Sequence, residues 1–510
     1  MTVDAPAAPA TCIRTPSRSG AVLRAVFSFQ MVRIALLCML TVLTARSRFN
    51  NADTWWHLKL GETIWNTHAV PRTDAFSFTT NHHSYIPHEW LSQLTIYAAF
   101  RFGGYTGLML WLCVIASLVA LTGYALCWLY SGSGRVAFLG ALGIWFFATI
   151  GFSIRSELLG HFFLICELLI LSLGRIRSTR WFFLLPPLFA IWVNCHGSFF
   201  FGIAVIATVL FCSLFEFRAG LLASTRWPKS DRNRLAACLG LSVAALFINP
   251  VGPKLVSYPL DLMFKQQLNL GIVTEWQPTP FGDIRAWGLL LVAGLLLLLP
   301  LMKRIEITLQ ELVLTALVFG SAVQHQRMLV IFGIIAMPVV CRMVALGPYK
   351  HRPERDRLLP NGLILLLATA AIALGFPSSQ NLVEQVNAGN PVKALEFVRK
   401  AGLSGRILND YDAGGYLIWA APEHPDFIDG RADIFEWTGV FKDYLKWVML
   451  REDPRVVLDK YHIAFCLLPR GAPISQGMRL VPGWKSVYSD EMWVVFARDG
   501  APRTVPITRM

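Results

Sequence analysis

For most of its length the chain alternates long apolar runs with short polar connectors, a pattern that predicts helices crossing a bilayer. Runs near 24–45, 107–130, 136–152, 158–174, 181–193, 199–217, 235–249, 286–302, 307–323, 327–344 and 361–377 read as about 11 spans, since roughly 20 apolar residues in a helix cross a hydrocarbon core of about 30 Å. The runs at 181–193 and 235–249 are short for a crossing and predict helices that are tilted, re-entrant or longer than hydropathy delimits. Leu91–Phe102 has the spacing of a short amphipathic helix. Residues 1–23 are polar and Pro/Ala-rich and predict a cytoplasmic tail without a fold. The first run ends at Arg46 and Arg48 without a small-residue cleavage site, so it reads as an uncleaved span, not as a signal peptide.

After residue 377 the period changes. Residues 391–401, Phe441–Leu450 and Pro454–Tyr461 are helical in pattern, while Gly405–Asn409, Phe427–Ile428, Ile463–Leu468, Lys485–Ser489 and Met492–Ala497 alternate as strands. The expected architecture is a polytopic α-helical membrane protein. Residues 24–377 form its membrane domain, with a first loop at 46–106, and 378–510 form a small C-terminal α/β domain.

Composition excludes a soluble single domain: 55% of residues are hydrophobic and the mean hydropathy is +0.49. The formal charge of +14 raises the question of nucleic acid, but its distribution answers it. From residue 380 onward 16 Lys and Arg balance 16 Asp and Glu, so the whole excess lies in the membrane half. There it gathers on alternate connectors, at Arg14, Arg18 and Arg24, at Arg135, at Arg175–Arg180, at Arg218–Arg234, at Lys303–Arg304 and at Lys350–Arg357. The positive-inside tendency makes that face cytoplasmic and excludes nucleic acid as the meaning of the charge. The first loop, Arg155, Glu157, His196, the 250–285 loop and the C-terminal domain then fall on the other face of an inner (plasma) membrane. The ten cysteines lie mostly inside apolar runs and have no zinc or disulfide spacing.

Chemistry concentrates on the predicted outer face. The stretch Asn51–Leu91 carries Asp53, His57, Glu62, His68, Asp74, His82, His83, His88 and Glu89 among four tryptophans, of which Trp55–Trp56 are placed to anchor the loop at headgroup depth. Transfer of a sugar from a polyprenyl phosphate needs a carboxylate to take the acceptor's proton and cations to receive the departing phosphate. Asp53 is the candidate base, His57 shares its face if the piece is helical, and Glu89 is a second acid. Arg155, His196, His325 and Arg327 are candidates for the phosphate, each with an alternative as an interfacial anchor or helix cap. Asp74 and Glu275 are further substrate-contacting candidates, and Asp53 with Asp74 or Glu89 can hold a divalent cation, although no spacing demands one. In NDYDAGGYLIW and FIDGRADIF, the acids and glycines Asp410, Asp412, Gly414, Gly415, Asp429, Gly430, Arg431 and Asp433 fit ligand-binding turns or ordinary turn chemistry.

The pattern ADTWWHLKLGETIW…VPRTDAFSFT…HEWL, with WVNCHGSFFFG and GGYLIW…FIDGRADIF, resembles the GT-C superfamily of membrane glycosyltransferases. Within it, the chain is similar to a bacterial group described as dolichyl-phosphate-mannose-protein-mannosyltransferase-like. The resemblance spans nearly the whole chain. It implies a polyprenyl-phosphate-linked sugar donor, an extracytoplasmic acceptor (glycan, lipid or protein), contact with membrane lipids, and a catalytic acid at Asp53. Protein mannosyltransferases tend to place an Asp-Glu pair there, whereas Thr54 follows Asp53 here, so Asp74 and Glu89 stay open as the base. The alternative is a non-catalytic lipid-linked saccharide binder or a transporter. That reading predicts ionisable groups near mid-span, where only Arg33 and Glu167 occur.

Overall fold

A computed structural model describes residues 18–345 and 356–503; Arg14, Lys350, Arg352 and Arg355, on which part of the charge sorting rests, lie outside them. Helices occupy all of the predicted span positions. Seven are long and apolar enough to cross a membrane: Val22–Ala45, Trp90–Ser131, Gly134–Gly151, Glu157–Ile176, Ile284–Lys303, Gln326–Val344 and Leu358–Gly375. The remaining four, Leu185–Cys195, Phe199–Cys212, Lys229–Ala245 and Leu309–Gln324, have 11 to 17 residues. Local chemistry sets where these begin. Pro186 and Pro187 open the first of them, and Thr308 and Glu311 form a reciprocal capping box at the start of the last. The Gln326–Val344 span is 83% buried and lies at the centre of the bundle, whereas Leu358–Gly375, 11% buried, lies at its edge.

The predicted amphipathic piece and the second span are one helix, Trp90–Ser131, bent at Gly104, whose φ of 55° breaks the helical geometry. At one end of the bundle a small sheet joins strands β1 (Phe217–Ala219), β2 (Leu222–Ser224) and β3 (Ile307–Thr308). The C-terminal domain has a four-stranded sheet of β4 (Arg406–Asn409), β5 (Ile463–Pro469), β6 (Trp484–Ser489) and β7 (Trp493–Arg498) in the order β4-β5-β7-β6. Only the β4–β5 pair is parallel.

Three sequence expectations change here. Trp55–Trp56 do not anchor a loop at an interface. They sit in a helix, Asp53–Thr67, and are buried, with Trp55 edge-on to Tyr416 at 5.0 Å between ring centroids. Phe427–Ile428 join no strand; the Asn409 side chain pairs with their backbone instead. Its Oδ1 accepts from Phe427 N at 2.8 Å and its Nδ2 donates to Ile428 O at 2.7 Å. DAGGYLIW forms no turn; it lies in the helix Tyr411–Ala420, capped by Asp410 Oδ1 accepting from Asp412 N at 3.1 Å. A Cβ on Gly414 would strike Ile428 O, and one on Gly415 would strike Ala52 O, so the paired glycines let this helix pack directly against two backbones.

The first loop and the C-terminal domain are joined by a buried ionic network. Arg431 donates to Asp429 Oδ2 and to Asp74 Oδ1, both at 2.6 Å, and to Ser77 Oγ at 3.2 Å, with its guanidinium over the Phe76 and Tyr85 rings. Ser77 Oγ donates to Asp426 Oδ1 at 2.8 Å, and Ser77 also bridges Asp426 through the backbone. A guanidinium is always charged, so burying one is tolerated only where carboxylates meet it, and here two do. The network fixes the C-terminal domain over the start of the Asp53–Thr67 helix.

Candidate active site

Where the first loop, the connectors at 151–157, 194–198, 249–283 and 324–327, and the C-terminal domain meet, they enclose a cavity of about 760 Å³. Asp53, His57, Glu89, Arg155, His196, Glu275, His325 and Arg327 all line it. Asp74 does not. It is turned into the Arg431 network, so the pairing of Asp53 with Asp74 around a cation is not formed.

Asp53 is the first residue of its helix. Its Oδ1 accepts from Trp56 Nε1 at 3.0 Å, and its Oδ2 faces Arg155 Nε at 3.1 Å. Burial raises its carboxyl above the ordinary range, and the Arg155 charge offsets part of that rise. Arg155 comes from the tight bend before the Glu157–Ile176 span and also bonds Glu275, which stands on a single 3-10 turn, Thr274–Trp276. Over the carboxylate lies Gly430. A Cβ there would collide with Asp53 Oδ1, so only glycine lets the C-terminal domain close on this acid.

Glu89 is met by three imidazoles: His88 Nε2 at 3.5 Å, His57 Nδ1 at 3.7 Å and His196 Nε2 at 3.7 Å. Burial would raise Glu89, but the surrounding imidazoles, His88 foremost and His57 and His196 with it, together outweigh it and hold the carboxyl well below its usual value. For His88 the same pair works in reverse. Burial lowers it, Glu89 more than compensates, and the net direction is up. Burial leaves His57 at about 3 and His196 at about 4, so at neutral pH these two imidazoles are neutral, while His88 and Glu89 shift in the directions that favour an ion pair between them. His57 is also edged by Gln93, whose Nε2 lies 3.3 Å from His57 Nδ1.

The third grouping is Arg327. It lies 3.6 Å from Glu157 and stacks over the Trp276 ring at 4.3 Å, while His161 approaches the same carboxylate at 3.7 Å. His325 Nδ1 lies 2.7 Å from Trp276 O, which ties this corner to the loop carrying Glu275. Among the described residues no group of three or more His, Cys, Asp or Glu is placed to hold a metal ion. Of the cavity carboxylates, Asp53, Glu89, Glu157 and Glu275 are each engaged by a basic side chain, and Asp433 accepts from the Tyr258 hydroxyl.

Sequence reasoning assigned no role to His161, Tyr258, Tyr411 or Tyr444, all of which line the cavity. Tyr258 stacks on His88 at 4.2 Å and donates to Asp433 Oδ2 at 3.0 Å. Glu157 and His161, four residues apart at a span end, had a legible signal: that spacing puts an acid and an imidazole on one helix face. The tyrosines had none, since each reaches the cavity only through tertiary packing.

No known family and no curated protein matches the chain by sequence. Its structure is similar to that of ArnT from Cupriavidus metallidurans bound to undecaprenyl phosphate, with TM-score 0.52 and 14% identity over 94% of this chain and 98% of that one. It is also similar to the Archaeoglobus fulgidus oligosaccharyltransferase AglB in complex with an inhibitory peptide and a dolichol-phosphate, with TM-score 0.51 and 13% identity over 94% of this chain and 75% of that one. A third similar structure is that oligosaccharyltransferase tethered to an acceptor peptide containing the NVT sequon, with TM-score 0.51 and 12% identity over 93% and 74%. Identities this low speak for the fold. The chain has a GT-C-like fold, as the sequence resemblance implies.

Proposed function

We propose that the protein is a glycosyltransferase that moves a sugar, with inversion, from a polyprenyl-phosphate-linked donor to an acceptor on the extracytoplasmic face. The observation that carries this reading is the contact of Asp53 with Arg155, at 3.1 Å, on the wall of a cavity that Arg327 and His196 also line. A proton acceptor and phosphate-binding cations must serve one small reacting centre, and the lining of one cavity by Asp53, Arg155 and Arg327 supports such a reading. The neighbours of known structure bind undecaprenyl phosphate, dolichol-phosphate or an acceptor peptide, in keeping with such a site.

In this mechanism the acceptor's nucleophilic atom attacks the anomeric carbon from the face opposite the phosphate. The new bond to carbon forms as the bond from carbon to the phosphate oxygen breaks. Asp53 takes the acceptor's proton, and the polyprenyl phosphate leaves with the electron pair, its charge met by Arg155 and Arg327. His57 and Glu89 line the same cavity as Asp53 and keep its wall polar. The binding or transport alternative draws on Glu167, a fully buried span acid whose two oxygens have no hydrogen-bond partner among the described residues. That acid does not line the cavity.

Transfer of labelled sugar from a panel of polyprenyl-phosphate sugars by protein in lipid nanodiscs tests the reading. Asp53→Asn keeps the shape but cannot accept the proton, so transfer falls by about 10²–10⁴-fold with donor binding retained. Arg327→Ala weakens donor binding and slows transfer together, because a phosphate contact exists in both ground and transition states. Wild-type rates in the Asn variant remove Asp53 from the mechanism. A wild type inert to every donor and acceptor sinks the transferase reading in favour of binding.

A further inference from the structure

Arg155 and Arg327, the cations proposed to receive the phosphate, both already have carboxylate partners. A lipid phosphate that takes the Arg155 nitrogens facing Asp53 and Glu275, Nε and Nη1, or the Arg327 Nη2 facing Glu157, displaces an acid, and the three acids are not equally held. Asp53 is also fixed by Trp56 Nε1 and sits on a packed helix under Gly430, with its side chain 18% exposed. Glu157 is shared by Arg327 and His161 and is 11% exposed. Glu275 is 39% exposed, stands on a short loop turn, and among the described residues has Arg155 as the one basic side chain on its carboxylate.

Resting on the glycosyltransferase reading, we propose that Glu275 is a placeholder for the donor phosphate. It occupies the outer edge of the Arg155 guanidinium when no lipid is bound, gives that edge up to the phosphate, and returns to expel the product.

The chemistry of the two lipids gives the exchange a direction. The donor is a phosphodiester with one negative charge, so swapping it for Glu275 leaves the charge around Arg155 unchanged. The product is a phosphomonoester with a second ionisation near pH 6, and it carries roughly −1.5 to −2 at neutral pH. Arg155 would hold that product more tightly than the donor and stall turnover. A tethered carboxylate competing for the same donors at high local concentration shortens the product's stay. The loop is built for a small movement. Its flanks are pinned, by Glu436 accepting from Leu268 N and Asn269 N on one side and by Gln326 N donating to Gln277 O on the other, so the Glu275 side chain moves without the loop unfolding.

The test measures binding of undecaprenyl phosphate, and of the uncharged polyprenol of the same length, to full-length protein in nanodiscs. Variants are Glu275→Gln, Glu275→Ala and each combined with Arg155→Ala. Removing a charge-assisted competitor tightens phosphate binding by roughly ten- to a hundredfold in both Glu275 variants, leaves the polyprenol unchanged, and the gain vanishes without Arg155. In the same variants turnover becomes more sensitive to added product. Equal or weaker phosphate binding in both Glu275 variants, with the wild type binding normally, overturns the placeholder and leaves the donor reading standing. If neither wild type nor variants prefer the phosphate to the polyprenol, both ideas fall.

Discussion

Each ionisable residue of the cavity is defined by its partner more than by its type. The histidines make the point, because burial separates them. His57 and His196, at about 3 and 4, stay neutral where an unfolded chain would bind protons, and His88 is pushed the other way by Glu89. Below the unfolded value of 6.5 the unfolded state takes up protons that folded His57 and His196 refuse, so these two draw stability down as the pH falls toward 4. His88 acts in the opposite sense, since a raised value favours the folded state at low pH. The expected result is a melting temperature that drops between pH 6.5 and 4.5 in the wild type and drops less in His57→Gln, measured by intrinsic fluorescence. An unchanged slope in the variant would show that His57 is not held neutral by burial. At this scale Asp53 was legible from the sequence because an acid just past a span end is a position with meaning. The identity of its cation was not, because Arg155 meets it from 102 residues away along the chain.

At the scale of elements, the packing of helices against bare backbone decides where the reactive atoms stand. Gly414, Gly415 and Gly430 are places where a methyl group would meet another chain segment, and only the last touches the acid itself. Gly430→Ala is therefore expected to shift Asp53 from Arg155 and Trp56. Transfer should fall by more than about tenfold while the melting temperature stays within a few degrees, since overpacking at one methyl costs about 1–3 kcal/mol. A variant with full activity would mean that the C-terminal backbone moves aside freely. The sequence made these glycines visible but not their purpose. An Asp-Gly cluster reads as turn chemistry until the element that packs on it is known. Hydropathy likewise located a helix at each predicted span but did not mark Asp53–Thr67 or Pro253–Lys265, because an apolar run marks burial in a bilayer and says nothing about mixed-sequence helices or about where prolines and capping residues start a helix.

On the scale of the whole molecule, the first loop and the C-terminal domain behave as one wall, joined through Arg431. Replacing it with Met, similar in length but uncharged, leaves Asp74 and Asp429 buried without their cation, beside Asp426, whose Oδ2 is already unpartnered among the described residues. Losing one partner of a buried pair costs about 3–5 kcal/mol. Arg431→Met is expected to lower the melting temperature sharply and to expose the Thr73–Ser84 segment to protease; an unchanged digestion pattern would show that other contacts hold the wall. The alternation of apolar and polar positions, together with the change of period after residue 377, made the two-part architecture readable. This junction was unreadable, because Asp74 and Arg431 are 357 positions apart and each looks like ordinary loop chemistry alone.

That separation has a consequence for the newborn chain. Asp53 is synthesised early, yet Gly430, Tyr411 and Tyr444, which complete the cavity around it, come from the last quarter of the sequence. Throughout elongation the acid stands in an unfinished chamber, with no roof above it and no Arg431 to lock the first loop. The cavity is thus completed late and all at once, when the C-terminal domain docks. A ribosome that stalls, or a domain that fails to dock, leaves behind a helical bundle whose acid stands in an open, unlocked cavity.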